Sequence, residues 1–232
     1  MIMNFDFYLR RARKMNPLWG YLIGYGFLFA VILGAGAAYK TFKFPPEVSR
    51  KIIHISICFT WIVIYKFFAY DWQCLVMPIS FIIINALSLK YHFFKGMERE
   101  GEKSTPGTVY YAIAITLLFT ASLIWPETLI PGGVATFCLS FGDGFAALFG
   151  NFFGKKSPQI MKNKSLVGSA ACVVFSIIGI YILSIFVPVN LEFYEIAIIG
   201  LATAILELVG WGLDNFTITI GVMLLATLFM KI

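Results

Sequence analysis

The segment SFGDGFAALFGNFFGKKSPQIMKNKSLVGS, residues Ser140 to Ser169, places a carboxylate inside an apolar helix and then opens into a basic loop flanked by glycines. Asp143 falls within a hydrophobic run from 129 to 153. An ionised group there costs at least about 2.5 kcal/mol unless it faces protein, water or a cation. Gly142, Ala146, Gly150 and Gly154 recur every fourth residue, so one side of this helix is nearly bare and a second backbone can approach it closely. Asp143 borders that side. Lys155, Lys156, Lys162 and Lys164 follow, then Ser165, Gly168 and Ser169 at the expected start of the next helix, where free amides and the helix dipole favour anions. The combination reads as metal and phosphate chemistry at a membrane face.

The composition agrees. Of 232 residues, 59% are hydrophobic and 13% charged, with mean hydropathy +0.84, which excludes an ordinary soluble domain. Apolar runs of membrane-spanning length, about 17 to 22 residues, fall at 18–39, 51–68, 72–89, 107–125, 129–153, 166–188, 193–212 and 215–230. The predicted fold is an all-α, polytopic helical bundle of seven or eight spans, since the last two are separated only by Gly212, Leu213 and Asp214. Residues 1–17 form a basic amphipathic tail, and 18–232 form one transmembrane domain. No polar stretch is long enough for a separate catalytic domain, so any site is built from helix ends and short loops.

Lysine and arginine concentrate in 40–51, 90–103 and 155–164, which predicts that these loops, the 212–214 connection and Asp143 lie on the cytoplasmic side. Arg10, Arg11, Arg13 and Lys14 disagree, because strict alternation puts the tail outside. Either the first helix is oriented against its charges or the count before residue 90 is off by one. Cys58, Cys74, Cys138 and Cys172 stand alone in apolar helices, without the spacing of a zinc site or disulfide framework.

Other polar residues add to the candidate site. Glu207 is a mid-helix carboxylate, and Asp214 follows seven residues later on the same face if the helix continues. Asp214 alone also suits a helix N-cap. Arg50, Lys51 and His54 cluster at the start of the second span, where they either anchor it in the interface or face a site. Gly154-Lys155-Lys156-Ser157 is not a Walker A loop, because Phe149 occupies the earlier glycine position and no strand precedes it. Carboxylates for a hard cation remain, with lysines and helix-start amides for phosphate oxygens.

The order RKIIH (50–54), ER with KSTPGTVYY (98–111), SFGDGFAALFGNFFGKK with KNKSLVGSAA (140–171) and ELVGWGLDNFTI (207–218) resembles the polyprenol kinase family, which includes dolichol and phytol kinases. The resemblance implies transfer of a phosphoryl group from a nucleoside triphosphate, characteristically CTP, to the hydroxyl of a long isoprenoid alcohol. Asp143, Lys164, Ser165, Gly168, Ser169, Glu207, Asp214 and Asn215 fall on its motif positions. Leu213 stands where phytol kinase-like members carry a first aspartate. With the local chemistry, this assigns Mg²⁺ to Asp143, Asp214 and Glu207. Triphosphate binding falls to Lys155, Lys156, Lys164 and the amides of 165–169, with Arg50 and Lys51 beside them. His54 or a carboxylate accepts the alcohol proton. Nothing points to nucleic acid, and a homo-oligomer is left open. A CTP:phosphatidate cytidylyltransferase is the nearer rival. A cation- or proton-coupled transporter is the more distant one, and it would leave the lysine loop without a task.

Overall fold

The computed structural model describes residues 16–43, 45–91, 107–161 and 164–230. The basic tail, most of the 90–103 loop and Lys162 lie outside these residues. Among those described, α1 (Pro17–Phe42) begins at Asn16, whose side chain accepts the Leu18 amide, with Pro17 pre-set for the first turn. The second span is α2 (Pro46–Ile57) and α3 (Phe59–Phe68), broken at Cys58 rather than continuous. The Thr60 hydroxyl donates to the Ile57 carbonyl, and the Trp61 amide reaches Cys58 three residues back, which tightens the helix at that point. Next come α4 (Val76–Tyr91), reached through a 3₁₀ turn at Trp72–Leu75, and α5 (Gly107–Ile124).

The fifth span is the centre of the molecule. It runs through α6 (Leu129–Phe137), a π-helical segment Cys138–Asp143 and α7 (Gly144–Phe153), and every residue from 128 to 142 is buried. The bare face predicted for it is where α8 (Leu166–Phe186) packs. A Cβ on Gly168 would come within 3.1 Å of the Ala146 carbonyl, and one on Gly142 would strike the Ser176 hydroxyl. Close backbone approach is therefore the use of the four-residue spacing. The basic loop is more ordered than its sequence suggests. A two-stranded antiparallel hairpin, β1 (Gln159–Met161) and β2 (Lys164–Ser165), pairs Gln159 with Ser165 and aims Lys164 back toward the bundle.

A helical hairpin closes the chain: α9 (Phe193–Val209) and α10 (Asp214–Phe229) pack on each other across a turn in which Trp211 (φ 50°) and Gly212 (φ 91°) are left-handed. Six spans among the described residues are long and apolar enough to cross a membrane, and α10 is a shorter apolar helix. The chain is a polytopic all-α membrane bundle, as the composition predicts. The start of α2, the start of α5, the hairpin and the α9–α10 turn all meet at one end of the bundle. Tyr21, near the other end of α1, donates to Gln73 in the turn before α4, so the beginning of α1 sits at the opposite end. Three of the six spans precede residue 92, the number read from the sequence.

Candidate active site

A cavity of about 870 Å³ opens at that end and has two unlike parts. Its mouth is polar, lined by Arg50, Lys51, His54, Asp143, Lys155 and Lys164 on one side and by Glu207, Asp214 and Asn215 on the other. From there it continues among apolar side chains of α1, α2, α3, α4 and α5, including Ile53, Ile57, Phe81 and Ile115. Lys164 and Glu207 are 43 residues apart in sequence and Lys51 and Asp143 92, so the bundle, not a local motif, assembles the site.

Asp143 is the hub of the mouth. Lys51 donates to its Oδ2 at 2.6 Å, and His54 Nε2 lies 3.3 Å from the same oxygen. His54 Nε2 is also 3.3 Å from the carbonyl oxygen of Leu139, within the π-helical segment. A π turn shifts the backbone bonding by one residue and leaves carbonyls free for such contacts, which is why these segments recur at functional sites. Tyr111 backs the imidazole edge-on, with ring centroids 4.8 Å apart, and its hydroxyl bonds the Ser140 hydroxyl at 2.8 Å. Lys51 is only 8% exposed, so its charge is committed to Asp143 and not to the membrane interface.

A second cluster forms around Lys164. Its ammonium pairs with the Glu207 carboxylate, donates to the Glu207 carbonyl at 3.2 Å and lies 3.8 Å from Asp214 Oδ2. Burial opposes this charge, but the hydrogen bond and charge of Glu207, then Asp214 and Asp143, outweigh it and hold the Lys164 pKa above the usual lysine value. Asp214 is not a cap: it is the first residue of α10, Leu213 holds the cap position without a side-chain bond, and Asp214 Oδ1 is buried without a hydrogen-bond partner. The helix does not continue from Glu207 to Asp214, yet both carboxylates reach Lys164. Asn215 ties this corner to α5 through the Gly107 carbonyl at 3.4 Å.

The phosphate reading of the α8 start needs correction. Ser165 caps it and accepts the Gly168 amide, Ser157 accepts the Val167 amide, and the Pro158 carbonyl accepts the Leu166 amide. The first-turn amides are taken within the protein, so the groups that could meet an anion at the mouth are side chains. Ser165, Gly168 and Ser169 all line the cavity, and the Ser169 hydroxyl is buried without a partner. Of the loop lysines, Lys155 lines the cavity, while Lys156 is exposed and does not. Arg50 faces the mouth paired with Glu47 on its own helix. Sequence reasoning missed Tyr111, although it lies in the KSTPGTVYY stretch, and it missed the apolar part of the cavity altogether.

The described residues contain no ready-made group of three metal-ligating side chains. Three carboxylates face two ammonium groups here, however, and one carboxylate oxygen of Asp214 is orphaned. That donor set suits Mg²⁺, which takes one or two carboxylates and completes its shell with water and substrate phosphates.

Comparison with known proteins agrees with this chemistry. A phytol kinase of Synechocystis is 28% identical, over 90% of this chain and 91% of its own length. CTP-dependent diacylglycerol kinase 1 of Saccharomyces cerevisiae is 26% identical over 80% of this chain and 72% of its own. Both names are those of lipid kinases. The namesake enzyme of Schizosaccharomyces pombe is 30% identical over 59% of this chain and 66% of its own length. No protein-family model matches the chain, and no solved structure is similar to it. The resemblance read from the motifs is borne out at the level of a lipid kinase family.

Proposed function

We propose that this protein is a CTP-dependent membrane lipid kinase whose acceptor is a long-chain isoprenoid alcohol. The observation that carries the proposal is the junction at Asp143: a charged mouth suited to a nucleotide runs directly into an apolar space suited to a lipid. The acceptor hydroxyl belongs at that junction. Its oxygen attacks the γ-phosphorus, the bond from that phosphorus to the β-bridging oxygen breaks, and CDP leaves.

Phosphoryl transfer asks the protein for alignment and charge neutralisation more than for covalent chemistry. Lys155 and Arg50 draw the triphosphate to the mouth. Lys164 holds Glu207 and Asp214 together beside it. Lys51 fixes Asp143, while the imidazole of His54 is held between Asp143 and the Leu139 carbonyl. Of the groups at the junction, Asp143 is the one placed to receive the alcohol proton, with His54 orienting it. When bound, Mg²⁺ would be held by Asp214, with Asp143 or Glu207, and would neutralise charge on the phosphates. The excess of basic residues in the loops at this end supports a cytoplasmic mouth. Cysteines placed at Lys164 and Asp214 should both react with an impermeant reagent from the cytoplasm, and labelling from outside would reverse that orientation.

The decisive assay uses purified protein in lipid nanodiscs with CTP or ATP, offering phytol, longer polyprenols, diacylglycerol or phosphatidate. An alkyl phosphate formed with CDP is the expected result. Pyrophosphate and a CDP-lipid would convert the reading to a cytidylyltransferase.

A further inference from the structure

We infer that the apolar arm of the cavity seats the hydrocarbon of the acceptor, and that Trp61, Ile64 and Met77 form a floor that sets how long a chain it takes. This rests on the lipid kinase reading of the mouth. The arm follows the broken second span: Ile53, Ile57, Thr60, Trp61 and Ile64 line it in succession. Ten residues, across the break at Cys58, carry it about 15 Å below the level of His54. Leu28, Met77, Phe81 and Ile115 supply facing walls.

The deep end is both narrow and closed. Trp61 and Ile64 are 1% exposed, Leu28 and Met77 2%, although all four line the cavity. A water-sized sphere barely touches them, so these side chains close the arm at this depth. The floor is also fixed in place. The Trp61 ring sits over Gly133, where a Cβ would come within 2.7 Å of it, and stacks on Tyr65 and Phe119 at 5.3 and 6.2 Å. Met77 is seated over Gly24 in the same manner. The Trp61 ring, resting on a glycine of a neighbouring helix, cannot retreat that way without moving a backbone. A chain fed from the mouth therefore meets a stop.

The test is a chain-length series of primary alcohols with CTP in nanodiscs, read as kcat/KM for each. Efficiency should rise with length and then break where the chain reaches the floor. Met77→Ala should move the break to longer chains and Thr60→Phe to shorter ones. The long-to-short ratio should change by about tenfold in opposite directions, the scale of a few methylenes in an apolar site. Ile83→Phe, on the 55%-exposed lipid side of α4, should leave the ratio unchanged. An unmoved break, or none, overturns the arm as the chain seat.

A readout without turnover separates this from the kinase reading. An alkyl alcohol with a terminal diazirine should label Trp61, Ile64 or Met77 on irradiation, even if no CTP is consumed. Labelling confined to outward residues such as Ile79 and Ile83 overturns the inference, whereas labelled floor residues in a protein that phosphorylates no alcohol would overturn only the kinase assignment.

Discussion

The two ends of α9 solve the same problem in opposite ways. Glu195 and Glu207 are both nearly buried carboxylates, 7% and 5% exposed. Glu195 is satisfied by its own neighbourhood: it accepts the Glu192 amide at 2.8 Å in a capping box and lies 3.3 Å from the Tyr194 hydroxyl. Glu207 is satisfied by Lys164, which lies 43 residues away and reaches in from the hairpin. A buried charge settled within one helical turn serves the helix. One that needs a partner from across the fold marks a place where the fold has been arranged around charge.

The largest expected effect tests that rule at Asp143. Asp143→Asn alone should reduce kcat/KM by about a hundredfold or more, because contacts to Lys51 and His54 are lost together. It should also destabilise the protein by about 3 to 5 kcal/mol, since Lys51 is then buried without a counter-ion. The double variant Lys51→Met/Asp143→Asn removes that penalty. It should recover most of the stability and none of the activity in parallel denaturation and phosphotransfer assays. Recovery of both would make the pair structural.

Next in size is the α9 comparison itself. Glu207→Gln should lower phosphotransfer by about ten- to a hundredfold, the worth of one charged contact. Glu195→Gln should leave kcat/KM within about twofold and cost roughly 1 kcal/mol of stability, as loss of a cap does. Equal activity losses would erase the distinction between the two ends.

Two lysines sharpen it further. Lys164→Ala should cost about ten- to a hundredfold in rate, whereas Lys156→Ala, an exposed charge in the same loop region, should stay within about twofold. The smallest effect concerns pH. The folded-state pKa of Lys164 is raised above 10.5, so its stabilising contribution is complete below that value and is lost only as the pH rises through the higher folded pKa. The stability difference between wild type and Lys164→Met should therefore be flat from about pH 6 to 9, as followed by thermal unfolding.

Much of this was legible before any coordinates. Span lengths, the glycine face of the fifth span and the importance of Asp143, Lys164, Glu207 and Asp214 follow from residue type and spacing, because hydrocarbon punishes misplaced charge and rewards small residues at helix contacts. Pairings were not legible. Lys51 and Asp143 are 92 residues apart, and no local pattern distinguishes an ammonium bound for a carboxylate from one that anchors a helix in the interface. The helix-start amides looked free because their acceptors, Ser157 and Pro158, become neighbours only once the hairpin forms. The break at Cys58 was hidden for a similar reason, since a threonine that bonds back into its own helix reads as an ordinary span residue. The apolar arm is an absence of atoms between five helices, which no single helix records.

The π-helical segment also acts as a phase shifter. Each α-helical residue turns the chain by 100°. One residue more or fewer between Phe137 and Gly144 would thus rotate everything after it by that angle. Upstream of the segment, side chains are fitted to a core on all sides. Downstream, the bare stripe must meet α8, and Asp143 must meet Lys51. The extra residue allows one continuous span to satisfy both settings. Deleting Leu139 would put the two halves out of step, turning the Asp143 carboxylate away from Lys51.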